Sequence, residues 1–186
     1  MPDSNVIPGG KMKMNATDVS RSHAEIMKEV SGMKKLVDGG KYKKAIDKGW
    51  KFAKSWRRIE ISPATTSFWK YMGLAYINTK DFDGASKCFE NALITGPKDV
   101  EAIMGRSMAR MAMRDFKTAD VGFATAAKLS PKDPTPLIMG SICMGSKGDK
   151  KKSVELARKA AKVNSKIAAA LCLDLIGSYL KNEKYR

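Results

Sequence analysis

Small, aromatic and proline residues recur in this chain at a fixed interval of 34 residues. The first copy of the pattern consists of Trp69, Gly73, Tyr76, Ala85, Phe89, Ala92 and Pro97. The second copy consists of Ile103, Ser107, Ala119, Phe123, Ala126 and Pro131. A period of this length indicates a repeat architecture, since one unit cannot bury its apolar face alone and must stack on its neighbours. No other feature of the chain constrains its fold as strongly.

The period and the residue types together resemble the tetratricopeptide repeat (TPR), in which each unit is a helix–turn–helix. The resemblance implies an all-α fold: a right-handed α-solenoid of stacked antiparallel helix pairs with a C-terminal capping helix. It is strong over residues 66–133 and loose over 24–65 and 134–180. In such a hairpin Gly73 and Ser107 lie where the two helices approach closely. Pro97 ends a second helix because proline has no backbone N–H to donate.

The spacing also predicts how the chain is divided. We expect a flexible tail over residues 1–22, a degenerate first hairpin over 23–65, regular repeats over 66–99 and 100–133, a degenerate repeat over 134–167, and a capping helix with a tail over 168–186.

The first hairpin departs most from the repeat pattern. Its helical spacing begins near Ala24, and its second helix is expected to extend to about Ile59, about two turns longer than usual. Gly49 stands where an aromatic residue is usual. We expect the neighbouring aromatic residues to restore the missing volume, namely Trp50, Phe52 and Trp56.

Composition excludes several classes of protein. No run of eighteen apolar residues is present, and the N-terminus lacks the apolar core of a secretory signal, so a cytoplasmic protein is expected. Cys88, Cys143 and Cys172 are widely spaced among apolar neighbours, where cysteine commonly acts as a small buried hydrophobe. With one histidine and no CxxC spacing or glycine-rich phosphate loop, we expect no catalytic residues, no cofactor and no metal.

The resemblance implies that a partner protein or peptide lies on the concave surface, which the first helix of each repeat lines. The positions that carry over are Lys70, Leu74, Ile77, Asn78, Glu101, Met104, Met108, Met111, Ile138 and Ile142. Methionine is flexible and polarizable, so a methionine-lined groove suits varied apolar side chains. The same methionine spacing also fits an ordinary buried stripe, and a groove residue can pack at its base while exposing its tip.

Two arginines stand at positions of the third repeat that are normally apolar, Arg106 and Arg110. Because unpaired burial of a charge is costly, we expect them to reach Asp115 or Asp120, or to extend into water. Contact with an acidic partner is the alternative.

The charge of the chain is concentrated toward its ends. Of the net +16, residues 1–60 and 135–186 carry +7 each and residues 61–134 carry +2. Basic and aromatic residues interleave near the first hairpin, where the candidate anion contacts are Lys48, Lys51, Arg57 and Arg58. This pattern fits an ordinary amphipathic helix or an anionic surface.

The residues therefore favour a non-enzymatic scaffold that binds a partner segment in its groove and can self-associate. Magnetosome-associated TPR scaffolds of the MamA type, which coat an organelle membrane through self-assembly, are similar in kind. One alternative is a secretion chaperone that shields apolar segments of a client protein. Another alternative, which rests on charge alone, is a binder of anionic membrane or of nucleic acid. Membrane binding would place the protein peripherally on that surface, and nucleic acid is the less expected ligand.

Overall fold

The computed structural model describes residues 16–55, 62–164 and 166. Within these ranges the chain forms eight α-helices and no strand. The helices are α1 (Ala16–Asp38), α2 (Tyr42–Ser55), α3 (Pro63–Asn78), α4 (Phe82–Thr95), α5 (Val100–Ala112), α6 (Phe116–Leu129), α7 (Thr135–Lys147) and α8 (Lys150–Val163). Among these helices, none combines the length and the apolar composition that crossing a bilayer requires.

The helices pack as successive pairs, α1 with α2, α3 with α4, α5 with α6 and α7 with α8. Consecutive pairs also contact each other, and the first helices of neighbouring pairs touch directly, α1 with α3, α3 with α5 and α5 with α7. The predicted all-α solenoid of stacked helix pairs is confirmed. This arrangement places equivalent residues of α3, α5 and α7 side by side on one surface.

An aspartate caps the second helix of each of the last three hairpins. Asp81, Asp115 and Asp149 each accept a hydrogen bond from the backbone N–H three residues further on, at 2.9, 3.2 and 3.0 Å. An aspartate carboxylate satisfies one of the N–H groups that a helix N-terminus leaves without a partner. These aspartates are 34 residues apart, so the repeat period fixes where each second helix begins.

The residue before each cap takes a left-handed backbone conformation. Lys80, Arg114 and Gly148 have φ values of 63°, 64° and 94°. Glycine adopts this region freely, whereas a side chain with a Cβ is strained there. The tight turn between the helices is therefore strain-free only in the last hairpin of these three.

Phe89 lies at the centre of the stack and is only 2% exposed. A Cβ added at Gly73 would lie 2.7 Å from its ring, and one added at Gly105 would lie 2.3 Å from it. The ring is therefore held between the backbones of α3 and α5. The close approach predicted at Gly73 is present, and the one at Gly105 was not predicted.

The first hairpin fills its missing aromatic volume in an unexpected way. A Cβ added at Gly49 would lie 2.2 Å from the Sδ atom of Met72, so a side chain of α3 occupies that space. Trp50 and Phe52 are partly buried beside it and contact aromatic rings of α3, with ring centroids 6.0 and 5.8 Å apart. Trp56 lies outside the described residues.

Two predicted boundaries can be compared with the helices. Helix α1 begins at Ala16, whereas the spacing predicted a start near Ala24. Helix α2 is described as far as Ser55, so its predicted extension to Ile59 lies outside the described residues. The same is true of residues 1–15 of the predicted tail and of the predicted capping helix over 168–186.

Candidate functional site

Three equivalent apolar residues cross the surface formed by the first helices. Leu74 on α3, Met108 on α5 and Ile142 on α7 are 34 residues apart, on helices that contact each other in that order. Leu74 is 39% exposed and Met108 37% exposed, and Ile142 is partly buried. We call these three residues the apolar row. A row of this kind offers a continuous apolar contact line to another chain.

The other candidate methionines contribute more to the core than to the surface. Met104 and Met111 are partly buried and pack against a cluster that includes Phe123 and Cys143. Ile77 is likewise partly buried against the core around α3 and α4. The methionine stripe is therefore both core and surface: its flanks pack inward, and Met108 reaches solvent.

Ile138 does not line the groove, and that prediction is wrong. The side chain is 2% exposed and forms a buried cluster with Ala160 of α8. This turn of α7 faces the second helix of its own hairpin. Ile138 occupies the repeat position that Lys70 has in the second repeat, and in this repeat that position is part of the core.

Lys70 joins two neighbouring repeats through an ion-pair network. Its Nζ donates to Asp99 Oδ2 at 2.9 Å and to Glu101 Oε2 at 2.7 Å. Burial by itself would lower the pKa of Lys70, but hydrogen bonding to Glu101 and Asp99 outweighs it, and the pKa lies above its usual value. Lys70 is therefore held in place rather than free to bind a ligand.

Asp99 and Asn78 are both engaged locally. Asp99 Oδ1 caps α5 by accepting from the backbone N–H of Ala102 at 2.8 Å, while its other oxygen holds Lys70. Asn78 is exposed, and its Nδ2 donates to the carbonyl of Leu74 at 2.9 Å. That bond leaves the Asn78 carbonyl oxygen and one N–H available beside the apolar row.

The two arginines of α5 have different environments. Arg110 Nη2 donates to Glu90 Oε1 at 2.7 Å, and its Nη1 lies 3.9 Å from Asp115 Oδ2. The predicted structural pairing is present, although its main partner, Glu90, was missed because the preceding repeat supplies it. Asp120 pairs instead with Lys152 of α8, at 2.5 Å. Arg106 is partly buried and makes no ion pair with any described residue.

The candidate cations of the first hairpin are only partly described. Lys48 Nζ lies 3.2 Å from Glu29 Oε1 and so links α2 to α1. Lys51 is exposed, as an outward face of an amphipathic helix requires. Arg57 and Arg58 lie outside the described residues.

The cysteine thiols and the groups able to bind a metal ion are the remaining side chains that could carry chemistry. Cys88 and Cys143 are buried, and burial raises the pKa of both thiols, so neither is an accessible nucleophile. Cys172 lies outside the described residues. Within the described part of the chain, no three histidine, cysteine or carboxylate side chains are grouped so as to hold a metal ion.

These features define the architecture as a TPR-type α-solenoid with an apolar row on its first helices. No protein-family model and no curated protein matches the chain. Among solved structures, a crystal structure of MamA protein superimposes with a TM-score of 0.67 at 14% identity, covering 81% of this chain and 79% of that one. MamA from Desulfovibrio magneticus RS-1, residues 41 to the end, gives 0.64 at 14%, covering 82% and 93%.

A further structural match is YrrB, described as a TPR protein with an unusual peptide-binding site. Its TM-score is 0.69 at 16% identity, with 87% of this chain and 84% of that chain covered. At identities this low, the superpositions establish a shared fold and nothing more. The predicted similarity to TPR proteins is therefore confirmed at the level of architecture.

Proposed function

We propose that this chain is a non-enzymatic protein-interaction scaffold that holds a segment of a partner protein across the apolar row. The observation that carries the proposal is the exposure of Leu74 and Met108 at equivalent positions of adjacent helices. Single exposed apolar side chains are ordinary on a protein surface, whereas an aligned set forms a contiguous patch of the kind that binds partners. The fold shared with YrrB, described as having a peptide-binding site, supports a peptide segment as the partner.

The test substitutes a charge into the row and compares it with the same change elsewhere. Met108→Glu places a carboxylate in the middle of the row. Val121→Glu is the matched control, because Val121 is 62% exposed on α6, the second helix of the same hairpin. Each protein is immobilised, exposed to lysate of the source cells, and its captured proteins are quantified by mass spectrometry.

We expect the Met108→Glu protein to lose the captured partner and the Val121→Glu protein to retain it. Only the first substitution places a charge in the apolar row, where partner binding would have to desolvate it. Circular dichroism of both variants checks that helicity is unchanged. Equal capture by the two variants would show that the partner lies elsewhere, and the scaffold proposal in this form would fail.

A second candidate function, attachment to an anionic membrane, is favoured by the outer face of α8. Lys151, Arg158 and Lys162 are exposed and lie seven and four residues apart, opposite the buried Ala160. None of the three makes an ion pair with a described residue, whereas Lys159 on their flank is paired with Glu155. A basic residue near an anionic bilayer contributes about 1 kcal/mol to binding. Helix α8 has no aromatic residue to stack on bases, so lipid suits this face better than nucleic acid.

Vesicle co-sedimentation tests the membrane candidate. The charge-reversal variant carries Lys151→Glu, Arg158→Glu and Lys162→Glu, and its control carries three charge reversals on exposed lysines of α2, Lys43, Lys44 and Lys54. We expect the α8 variant to lose at least about tenfold in affinity for phosphatidylserine-containing vesicles, and the α2 control to lose much less. Equal losses would mean that net charge alone drives binding, which would refute a specific α8 face.

A further inference from the structure

We propose that the segment held on the apolar row is extended and acidic, with an apolar side chain at every third residue. This inference rests on the proposed scaffold function and specifies the chemistry of its partner. It follows from two observations: the spacing of the row, and the charges along one edge of it.

The spacing of the row is set by helix packing. Leu74, Met108 and Ile142 occupy the same repeat position on α3, α5 and α7, and helices in direct contact lie about 8–10 Å apart. A polyproline-type extended chain advances about 3.1 Å per residue and returns to the same face every third residue, about 9 Å further on. In a β-strand successive side chains point to opposite faces, so the residue three positions further along points away from the row. An extended chain of the first kind therefore meets all three residues of the row in register.

Positive charge lies along the edge of the row where the first helices end, beside the aspartates Asp81, Asp115 and Asp149, whose carboxylates accept hydrogen bonds from the backbone of the second helices. Lys80, Arg114 and Lys147 are exposed, and none makes an ion pair within the described part of the chain. We call these three the turn cations. They recur with the hairpins: Lys80 and Arg114 take the left-handed turn position, and Lys147 precedes the glycine that takes it in the last hairpin.

The turn cations lie close enough to the row to contact the same segment. Leu74 and Met108 each lie four residues before the end of their helix, about 6 Å along the axis at 1.5 Å per residue, and Lys80 and Arg114 follow those helix ends by two residues. A carboxylate side chain reaching sideways from a segment on the row covers part of that distance, and a lysine or arginine side chain covers the rest.

The opposite edge carries the other sign of charge. Glu101, at the start of α5, has a side chain that is 83% exposed, and together with Asp99 it holds Lys70.

An extended chain has three rows of side chains. One would be apolar and face the helices, one would be acidic and face the turn cations, and the third would face solvent. Complementary charge of this kind fixes the orientation of a bound segment as well as its rate of association.

Three labelled synthetic peptides of equal length test the inference by fluorescence anisotropy. The first consists of three Leu-Gln-Asp units, and the second has the same composition with its three leucines at alternate positions in the middle, Gln-Asp-Leu-Gln-Leu-Asp-Leu-Gln-Asp. The third consists of three Leu-Gln-Lys units. We expect the first peptide to bind about tenfold tighter than either of the others. Met108→Glu should abolish its binding and Val121→Glu should leave it unchanged. Arg114→Glu should weaken it about threefold or more, whereas Lys117→Glu, on the exposed start of α6, should have little effect.

Several results would overturn the inference: no binding of the first peptide at millimolar concentration, equal binding of the first two peptides, equal or tighter binding of the lysine peptide, or tighter binding of a helical peptide with leucine at every seventh position. The two proposals fail separately. Capture of a cellular partner that is lost in Met108→Glu, without any preference among the peptides, would keep the scaffold function and refute the extended acidic segment. Capture that is insensitive to Met108→Glu would refute both.

Discussion

The same substitution, glycine to alanine, should have opposite effects at two buried positions on first helices. In Gly105→Ala the new methyl carbon would lie 2.3 Å from Phe89 Cζ and 2.4 Å from Cε1. In Gly140→Ala it would lie 3.4 Å from Leu156 Cδ1 and 3.6 Å from Phe123 Cβ, which is ordinary contact. Both glycines lie inside helices, where alanine is favoured by about 1 kcal/mol, so packing alone decides the sign.

The size of the penalty at Gly105 follows from the confinement of Phe89. Ordinary carbon contacts lie near 3.5–4.0 Å, so the ring would have to move by about 1 Å or more. It cannot move freely, because the backbone of α3 at Gly73 lies against its other side. Overpacking of this kind costs about 1–3 kcal/mol, and part of that is offset by the helix propensity of alanine. We expect Gly105→Ala to lower the free energy of unfolding by about 1–2 kcal/mol.

Gly140→Ala should instead stabilise the protein by about 1 kcal/mol. Its methyl group also enters a cavity of about 20 Å³ that Phe123, Gly140 and Leu156 line. Thermal unfolding followed by circular dichroism measures both changes. At about 2–4 °C per kcal/mol for a chain of this size, the melting temperatures of the two variants should differ by about 4–12 °C.

A double-mutant cycle identifies the cause. In a Phe89→Leu background the ring atoms that clash with residue 105 are absent, so Gly105→Ala should lose its penalty and the coupling free energy should reach about 1 kcal/mol. A neutral or stabilising Gly105→Ala in the otherwise unchanged protein would refute the confinement of the ring. A penalty that persists without the ring would assign it to some other contact of α5.

Three further predictions concern the turns, the caps and a buried thiol. Arg114→Gly should raise the free energy of unfolding by about 0.5–1 kcal/mol in urea titrations, because relief of left-handed strain exceeds the greater flexibility of unfolded glycine; no gain would contradict the strain. The pKa of Asp115 is lowered because the side chain and the backbone N–H of Thr118 donate to it, so its contribution is present above about pH 3.9 and is lost as the pH falls through its lower folded value. Asp115→Asn should flatten the plot of stability against pH in that acidic range, and an unchanged slope would show that the carboxylate is unpaired in solution. In a variant that keeps only Cys88, whose pKa is raised by burial, a thiol reagent should react at least about a hundredfold more slowly than with the urea-unfolded chain, and fast reaction would show that α4 opens readily.

The features that the sequence could predict are those that recur within one hairpin. Ala85 and Ala119 are fully buried at equivalent places, and α4 and α6 end just before Pro97 and Pro131. Each of these depends on a residue and its neighbours within the same repeat, so the period makes it visible. The fold followed from such local rules because every repeat obeys nearly the same ones.

The features that the sequence could not predict depend on contacts that differ from one repeat to the next. Ile138 was assigned to the groove from its repeat position, but the side chains of its own hairpin turn that position into core. Met72 fills the space at Gly49 from the following hairpin, and nothing near Gly49 in the sequence reveals it. A contact between repeats requires knowledge of two surfaces, of which the period specifies only the average shape.

The polar contacts between repeats show what the departures from the repeat pattern accomplish. Arg110 stands at a position that is normally apolar, and its partner Glu90 belongs to the preceding repeat. Asp120 and Lys152 join the third repeat to the fourth in the same manner. Partly exposed ion pairs of this kind contribute about 0–1 kcal/mol each, so they add little to stability. Their contribution is to specificity: beside another neighbour the partly buried Arg110 would lose its carboxylate partner, so each pair favours this order of stacking over others. The apolar row exists only when α3, α5 and α7 stack in this order, so ion pairs that favour this order of repeats also favour the row.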